Sequence, residues 1–166
     1  IGEIIVRGAV VTRAYDHNEQ ETTASKIVDT DGGIWHRMGD MGYIDTQGRL
    51  WFCGRKAHRV KTRDGVMYTI CCEAIINNHP DVFRSALVGV SGSESYAEPV
   101  IILELEKQCS RSHAEIITEV LSLARKSPLT RTINHILIHP AFPVDIRHNA
   151  KIFREQLQVW AAAKLD

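Results

Sequence analysis

The sequence predicts an α+β protein in two parts: a small β-rich subdomain over residues 1–56, then an α+β domain over 57–166 whose central sheet is flanked by helices. Three observations predict it. Short β-branched runs separated by turn residues fill the first third. Apolar positions at helical spacing alternate with buried-strand runs in the remainder. Between the two patterns lies a basic, turn-prone stretch, Gly54-Arg55-Lys56-Ala57-His58.

In chain order, Gly2-Glu3-Ile4-Ile5-Val6-Arg7-Gly8 and Gly8-Ala9-Val10-Val11 read as extended, and polar Asn18 to Lys26 as a short surface helix. Asp29-Thr30-Asp31-Gly32-Gly33 is a turn. Gly42-Tyr43-Ile44-Asp45 and Leu50-Trp51-Phe52-Cys53 read as strands of a hairpin joined through Asp45-Thr46-Gln47-Gly48. After Gly54, Arg59-Val60-Lys61 and Tyr68-Thr69-Ile70 are short extended pieces, followed by a helix near Glu73 to Asn78 and strands at Ser85 to Val90 and Pro99 to Leu105. A helix is expected at Ser112 to Ala124, where Ile116, Ile117, Val120 and Leu121 recur on one face. Ile133 to Ile138 reads as a third strand and Ile152 to Ala163 as a last helix.

Composition removes several function classes. With 44% hydrophobic and 24% charged residues among 166, the chain can bury a core, so disorder is not expected. Twenty basic residues balance twenty acidic ones without a basic run, so no nucleic-acid partner is expected. No apolar run reaches about 18 residues and no signal-peptide pattern occurs, so no membrane span is expected. Cys53, Cys71, Cys72 and Cys109 form no CxxC pair and read as reduced thiols of a cytoplasmic protein. His135 and His139 share one face of a strand about 13 Å apart, too far for one metal ion, and no metal site is expected. Because Ile1 opens directly on a strand-like run, the expectation is that a larger part lies upstream.

Several motifs in order resemble those of the adenylate-forming superfamily, which includes acyl-CoA synthetases, luciferases and peptide-synthetase adenylation domains. Trp35-His36-Arg37-Met38-Gly39-Asp40-Met41-Gly42 resembles its R-T-G-D signature, with Met38 where threonine is usual. Gly2 to Gly8 resembles the preceding strand motif and Gly48 to Arg55 (GRLWFCGR) the hairpin that follows. Glu73-Ala74-Ile75-Ile76-Asn77-Asn78-His79-Pro80 resembles the family's E-x-x-L-x-x-H-P helix. Pro143 to Ile152 (PVDIRHNAKI) resembles the C-terminal lysine loop, with Ala150 where glycine is usual. On this resemblance, residues 1–56 are the end of the large AMP-binding domain and 57–166 the C-terminal lid domain. A narrower resemblance, through Tyr68 to Val90 and Asp145 to Ile152, is to the branch that turns long-chain 3-hydroxy acids into β-lactones.

The resemblance implies an ATP-dependent ligase that joins a carboxylic acid to AMP and releases pyrophosphate. It implies that Asp40 and Arg55 bind the ribose of ATP, and that Lys151 bridges the substrate carboxylate and the α-phosphate. Those roles suit a two-oxygen acceptor, a rigid donor fork and a flexible ammonium. Ala57 falls on the hinge, where the family usually has Asp or Lys, and Lys61 on the lysine that faces the site in the second half-reaction. Mg2+ arrives on the ATP phosphates, with its main ligands in the missing N-terminal domain. Asp64 stands where a glycine normally lines the route of a thiol acceptor, with Gly65 adjacent, which argues against coenzyme A. The expected substrate is a long-chain acyl acid. Alternatives are a fatty-acyl-CoA or acyl-AMP ligase, a peptide-synthetase adenylation domain, or a lid-fold binding module without activity. The 166 residues alone are expected to show no turnover.

Overall fold

The computed structural model describes residues 1–91, 96–145, 147 and 151–165. It divides into two compact units, Ile1–Ala57 and His58–Asp166.

The first unit is a four-stranded sheet built on one long strand. β3 (Ile34–Ile44) pairs antiparallel with β1 (Gly2–Arg7), with β2 (Lys26–Val28) and, at its far end, with β4 (Leu50–Arg55). α1 (Glu19–Ser25) is capped by Asn18, whose side chain accepts from the Glu21 amide. The turn into β3 is fixed by charge: Arg7 donates to Asp29 at 2.8 Å and also pairs with Asp31, and the Trp35 indole N–H donates to Asp29. Glu3, only 18% exposed, accepts from Arg37 of β3 through Nε at 3.1 Å and Nη2 at 2.6 Å. Met41 and Cys53 are the buried apolar side chains of this unit, while Ile5, Ile27, Val28, Ile44, Leu50, Trp51 and Phe52 stay exposed. Gly8 to Val11, expected to be extended, instead makes a turn closed by the Val11 amide on the Gly8 carbonyl, and Val10 is fully open to solvent. The β-branched residues there have no neighbouring strand to pair with, and propensity alone does not make a strand.

The second unit is a three-layer sandwich. β7 (Val82–Ser91) pairs antiparallel with β8 (Ala97–Leu105), and β9 (His135–Ile138) adds parallel to β8. The strand period of two divides the side chains between two cores. Leu87, Ile101, Leu103 and Ile136 face one side, where α2 (Thr69–Ile76) and α3 (His113–Arg125) supply Ile76, Ile116, Val120 and Ala124. Ala86, Val88, Val100 and Ile102 face the other, against Phe142 and Leu157 and Ala161 of α4 (Arg154–Leu165). A separate hairpin, β5 (Val60–Thr62) and β6 (Gly65–Met67), adds Val60 and Met67 to the first core.

α2 begins at Thr69, so Thr69 and Ile70, expected to be extended, form its first turn instead. The reason is tertiary. Glu73 of that helix reaches across the sheet, accepts from the Leu87 amide at 2.8 Å, and takes the guanidinium of Arg154 through both oxygens, at 2.5 and 2.9 Å. α3 starts at a capping box in which Ser112 and Glu115 satisfy each other's amides. No helix among the described residues is long and apolar enough to cross a membrane.

Candidate functional site

Asp40 and Arg55 meet on the first unit. They are register partners of β3 and β4, and Arg55 Nη1 donates to Asp40 Oδ1 at 2.9 Å. Gly39 precedes them at φ +68°, a left-handed conformation that glycine adopts without steric cost, and the ladder slips between Met41 and Gly42. The strand is thus bent where Asp40 leaves it. The carboxylate is 20% exposed and the guanidinium 58% exposed. No hydrogen bond to Asp40 Oδ2 occurs among the described residues. An exposed ion pair of this kind contributes about 0–1 kcal/mol, so a ligand can open it at little cost. Together the two side chains offer an acceptor and a fork of donors to one side of the sheet edge, a pattern that fits a vicinal diol. The ribose of ATP is such a group.

Lys151 stands on the second unit, at the base of a loop. Val144 and Ile152 form an antiparallel bridge, the Asp145 amide donates to the Lys151 carbonyl at 3.0 Å, and the Phe153 amide donates to the Pro143 carbonyl at 2.9 Å. Val144 and Ile152 pack against the core under α4, so the neck is anchored. Asp145, nearly buried, accepts the Arg147 amide at 3.0 Å and its guanidinium. The Lys151 side chain is exposed, and its ammonium makes no hydrogen bond or ion pair among the described residues. Ala150 lies outside the described residues.

The remaining candidates fall around the junction and the β5–β6 hairpin. Ala57 is exposed in the 3-10 turn Lys56–His58, at the end of the first unit. Lys61 is exposed on β5 opposite Val66. Arg63 and Asp64 form the two-residue turn of that hairpin, and Gly65 follows at φ +137°. A shift of one residue therefore exchanges a turn aspartate for a glycine that the backbone itself requires. Asp64 borders a cleft of about 340 Å³ whose lining includes Arg63, Tyr96, Glu98, Arg131 and Asn134. Two carboxylates there face two guanidiniums, so the cleft carries no net charge from these groups. Its members come from the hairpin, β8 and the segment before β9, and no local sequence signal joins them.

Cys72 and His139 have structural settings. Cys72 is buried, its thiol donates to the Leu129 carbonyl, and burial pushes its pKa up to about 12, with the nearby Cys71 and Glu73 adding to the shift. His139 packs edge-on against Trp160 at 4.7 Å between ring centres. Among the described residues no group of three His, Cys, Asp or Glu could hold a metal ion.

No family model matches the chain. It is 47% identical over 167 residues to an olefin beta-lactone synthetase from Xanthomonas campestris pv. campestris, covering 98% of the chain and 30% of that relative. It is 49% identical over 174 residues to an olefin beta-lactone synthetase from Stenotrophomonas maltophilia, covering the whole chain and again 30% of the relative. The chain thus spans less than a third of the length of these curated relatives. Among solved structures it matches the o-succinylbenzoate CoA synthetase from Bacillus subtilis, held there in complex with its acyl-adenylate intermediate. That match has a TM-score of 0.75 and 25% identity over 95% of this chain and 30% of the other. Near-complete coverage at almost half identity, with the same fold as an acyl-adenylate-bound enzyme, means that the chain belongs to the adenylate-forming superfamily.

Proposed function

We propose that the chain is the C-terminal part of an ATP-dependent ligase that activates a long-chain 3-hydroxy acid as its acyl adenylate and closes it to a β-lactone. The observation that carries this reading is the identity of 47% and 49% to two olefin beta-lactone synthetases, against 25% to a CoA synthetase over almost the same span. Residues 1–56 then end the large AMP-binding domain and 57–166 form the lid, with Ala57 as the hinge.

In the first step a carboxylate oxygen of the acid attacks the α-phosphorus of ATP, the bond to the bridging oxygen breaks, and pyrophosphate leaves. Asp40 accepts from the ribose hydroxyls and Arg55 donates to them, which fixes the α-phosphate relative to the sheet edge. Lys151 approaches both anions and lowers their repulsion as charge builds in the transition state. Mg2+ would arrive on the ATP phosphates and would neutralise part of their charge. In the second step the substrate's own 3-hydroxyl attacks the acyl carbon, loses its proton, and AMP leaves, so no thiol acceptor is needed. Lys61 belongs to the same half-reaction. The protein works in the cytoplasm.

The deciding experiment incubates the full-length protein with ATP, Mg2+ and a 2-alkyl-3-hydroxy acid, without coenzyme A, and weighs the products. A product lighter than the acid by one water, formed with AMP, supports the reading. Acyl-AMP alone, or acyl-CoA once the thiol is supplied, moves the protein to the acyl-ligase branch. Lys151→Ala is expected to cut adenylation by about 10²- to 10³-fold, the usual effect of removing one transition-state charge contact. Normal adenylation by that variant would remove Lys151 from the mechanism. Residues 1–166 alone are expected to hydrolyse no ATP.

A further inference from the structure

The junction between the two units is short, and the residues on either side of Ala57 are held differently. Lys56, immediately before it, is 34% exposed and donates from Nζ to Glu3 Oε2 at 2.8 Å. The same oxygen accepts from Arg37 Nε and Nη2, and Arg37 also reaches the Ala24 carbonyl at the end of α1, at 3.5 Å. Glu3 therefore ties β1, β3 and the last residues of the first unit to one atom. These two donors hold its carboxyl pKa below the ordinary value, the Arg37 contribution being the larger. On the other side, His58 Nε2 lies 3.6 Å from Glu155 of α4, and two residues later Val60 is 4% exposed in the core of the second unit.

We propose that Glu3 is a positioning residue that moors Lys56 to the first unit, so that the backbone freedom between the units is confined to Ala57. A hinge needs few residues to absorb a change of φ and ψ, and a carboxylate anchored by Arg37 sets where that freedom begins. Without the mooring the flexible segment grows toward Arg55, whose position on β4 is held separately by its pairing with Asp40. The confinement itself does not depend on the chemistry proposed above. Its effect on turnover does rest on that reading.

The test uses the full-length protein with Glu3→Gln, Lys56→Gln or Lys56→Arg, digested lightly with a protease of broad specificity, cleavage at bonds 55–58 being followed by mass spectrometry. Glu3→Gln leaves the junction sequence unchanged, and Lys56→Gln leaves the Glu3–Arg37 pair unchanged. Both are expected to speed cleavage there by about 2- to 5-fold, the range of a partly exposed ion pair, while Lys56→Arg stays near the parent. In pyrophosphate exchange, Lys56→Gln is expected to lower kcat by a similar factor with the KM for ATP unchanged, because the ribose contacts remain. Faster cleavage in a protein that forms no acyl adenylate would uphold the mooring and defeat the functional reading. Unchanged cleavage in Lys56→Gln at an unchanged melting temperature would overturn the mooring. So would an equal rise in Lys56→Arg.

Discussion

Glu73 and Arg154 are the residues on which the second unit has most at stake, because both side chains are nearly buried, at 7% and 13% exposure. Burial pushes the Glu73 carboxyl pKa up, and the guanidinium beside it works in the opposite direction. The two ends of the pair are not equivalent. A carboxyl left alone takes up a proton and becomes neutral, whereas a guanidinium keeps its charge. Glu73→Gln, which strands the charge of Arg154, is expected to destabilise by about 3–5 kcal/mol. Arg154→Met should cost less by about 1 kcal/mol or more. Urea titrations of the two variants give the order, and the reverse order would mean that the carboxylate stays ionised when alone. Cys72 allows a second residue-scale check. With its pKa raised from 9.0 to about 12, the folded protein holds about a thousandfold less thiolate at pH 8.5 than the unfolded chain. Alkylation of Cys72 should be slower by at least that factor until urea opens the core. Since the pKa is raised, its contribution to stability is complete below pH 9 and fades as pH climbs toward 12.

Among elements, the junction of α2, β7 and α3 shows how charge fixes a turn. His79, buried at the end of the E-x-x-L-x-x-H-P helix, accepts the Asp81 amide at Nδ1, so its Nε2–H donates to Glu119 of α3 at 2.9 Å. Arg111 closes the ring by pairing with Glu119 and Asp81. Arg111, with His79 second, lowers the Glu119 pKa from 4.5 to about 2. A lowered pKa contributes stability above the unfolded value and loses it as pH falls toward the folded one. The urea midpoint of the parent should therefore exceed that of Glu119→Gln at pH 5, and the gap should shrink between pH 4.5 and 2. A gap that stays constant would assign the effect to packing. Much of this region was legible beforehand. The α3 face followed from Ile116, Val120 and its neighbours at helical spacing, and its start from Ser112. The first turn of α2 was not, because what selects helix there is Glu73 reaching Arg154, 81 residues away. Gly8 to Val11 failed for the converse reason, having strand-forming residues and no strand to pair with.

At the scale of the molecule the two units differ in what holds them together. The turn of their hairpin alone would put Asp40 opposite Gly54, and only the slip between Met41 and Gly42, which no local pattern announces, brings it to Arg55. Lys151 could be placed on a loop but not its neck, which depends on the Val144–Ile152 bridge. The Glu3–Lys56 tie spans 53 residues and leaves no local trace. What the sequence pattern hid most is the difference in cores. The second unit buries both faces of its sheet, under α2 and α3 on one side and α4 on the other. The first unit buries Met41 and Cys53 and leaves much of its sheet apolar and open. At about 25 cal/mol per Å² of buried apolar surface, two side chains contribute a few kcal/mol, and ordering each residue costs about 1–2 kcal/mol. Residues 58–166 made as a separate polypeptide should therefore unfold in one cooperative urea transition, followed by circular dichroism. Residues 1–57 should show no such transition, because two buried apolar side chains do not offset the cost of ordering the sheet. A cooperative transition in residues 1–57 would show that hydrogen bonding and the Arg7, Asp29 and Glu3 ion pairs suffice without a core. Failure of 58–166 would show that its two-faced core needs the first unit as well.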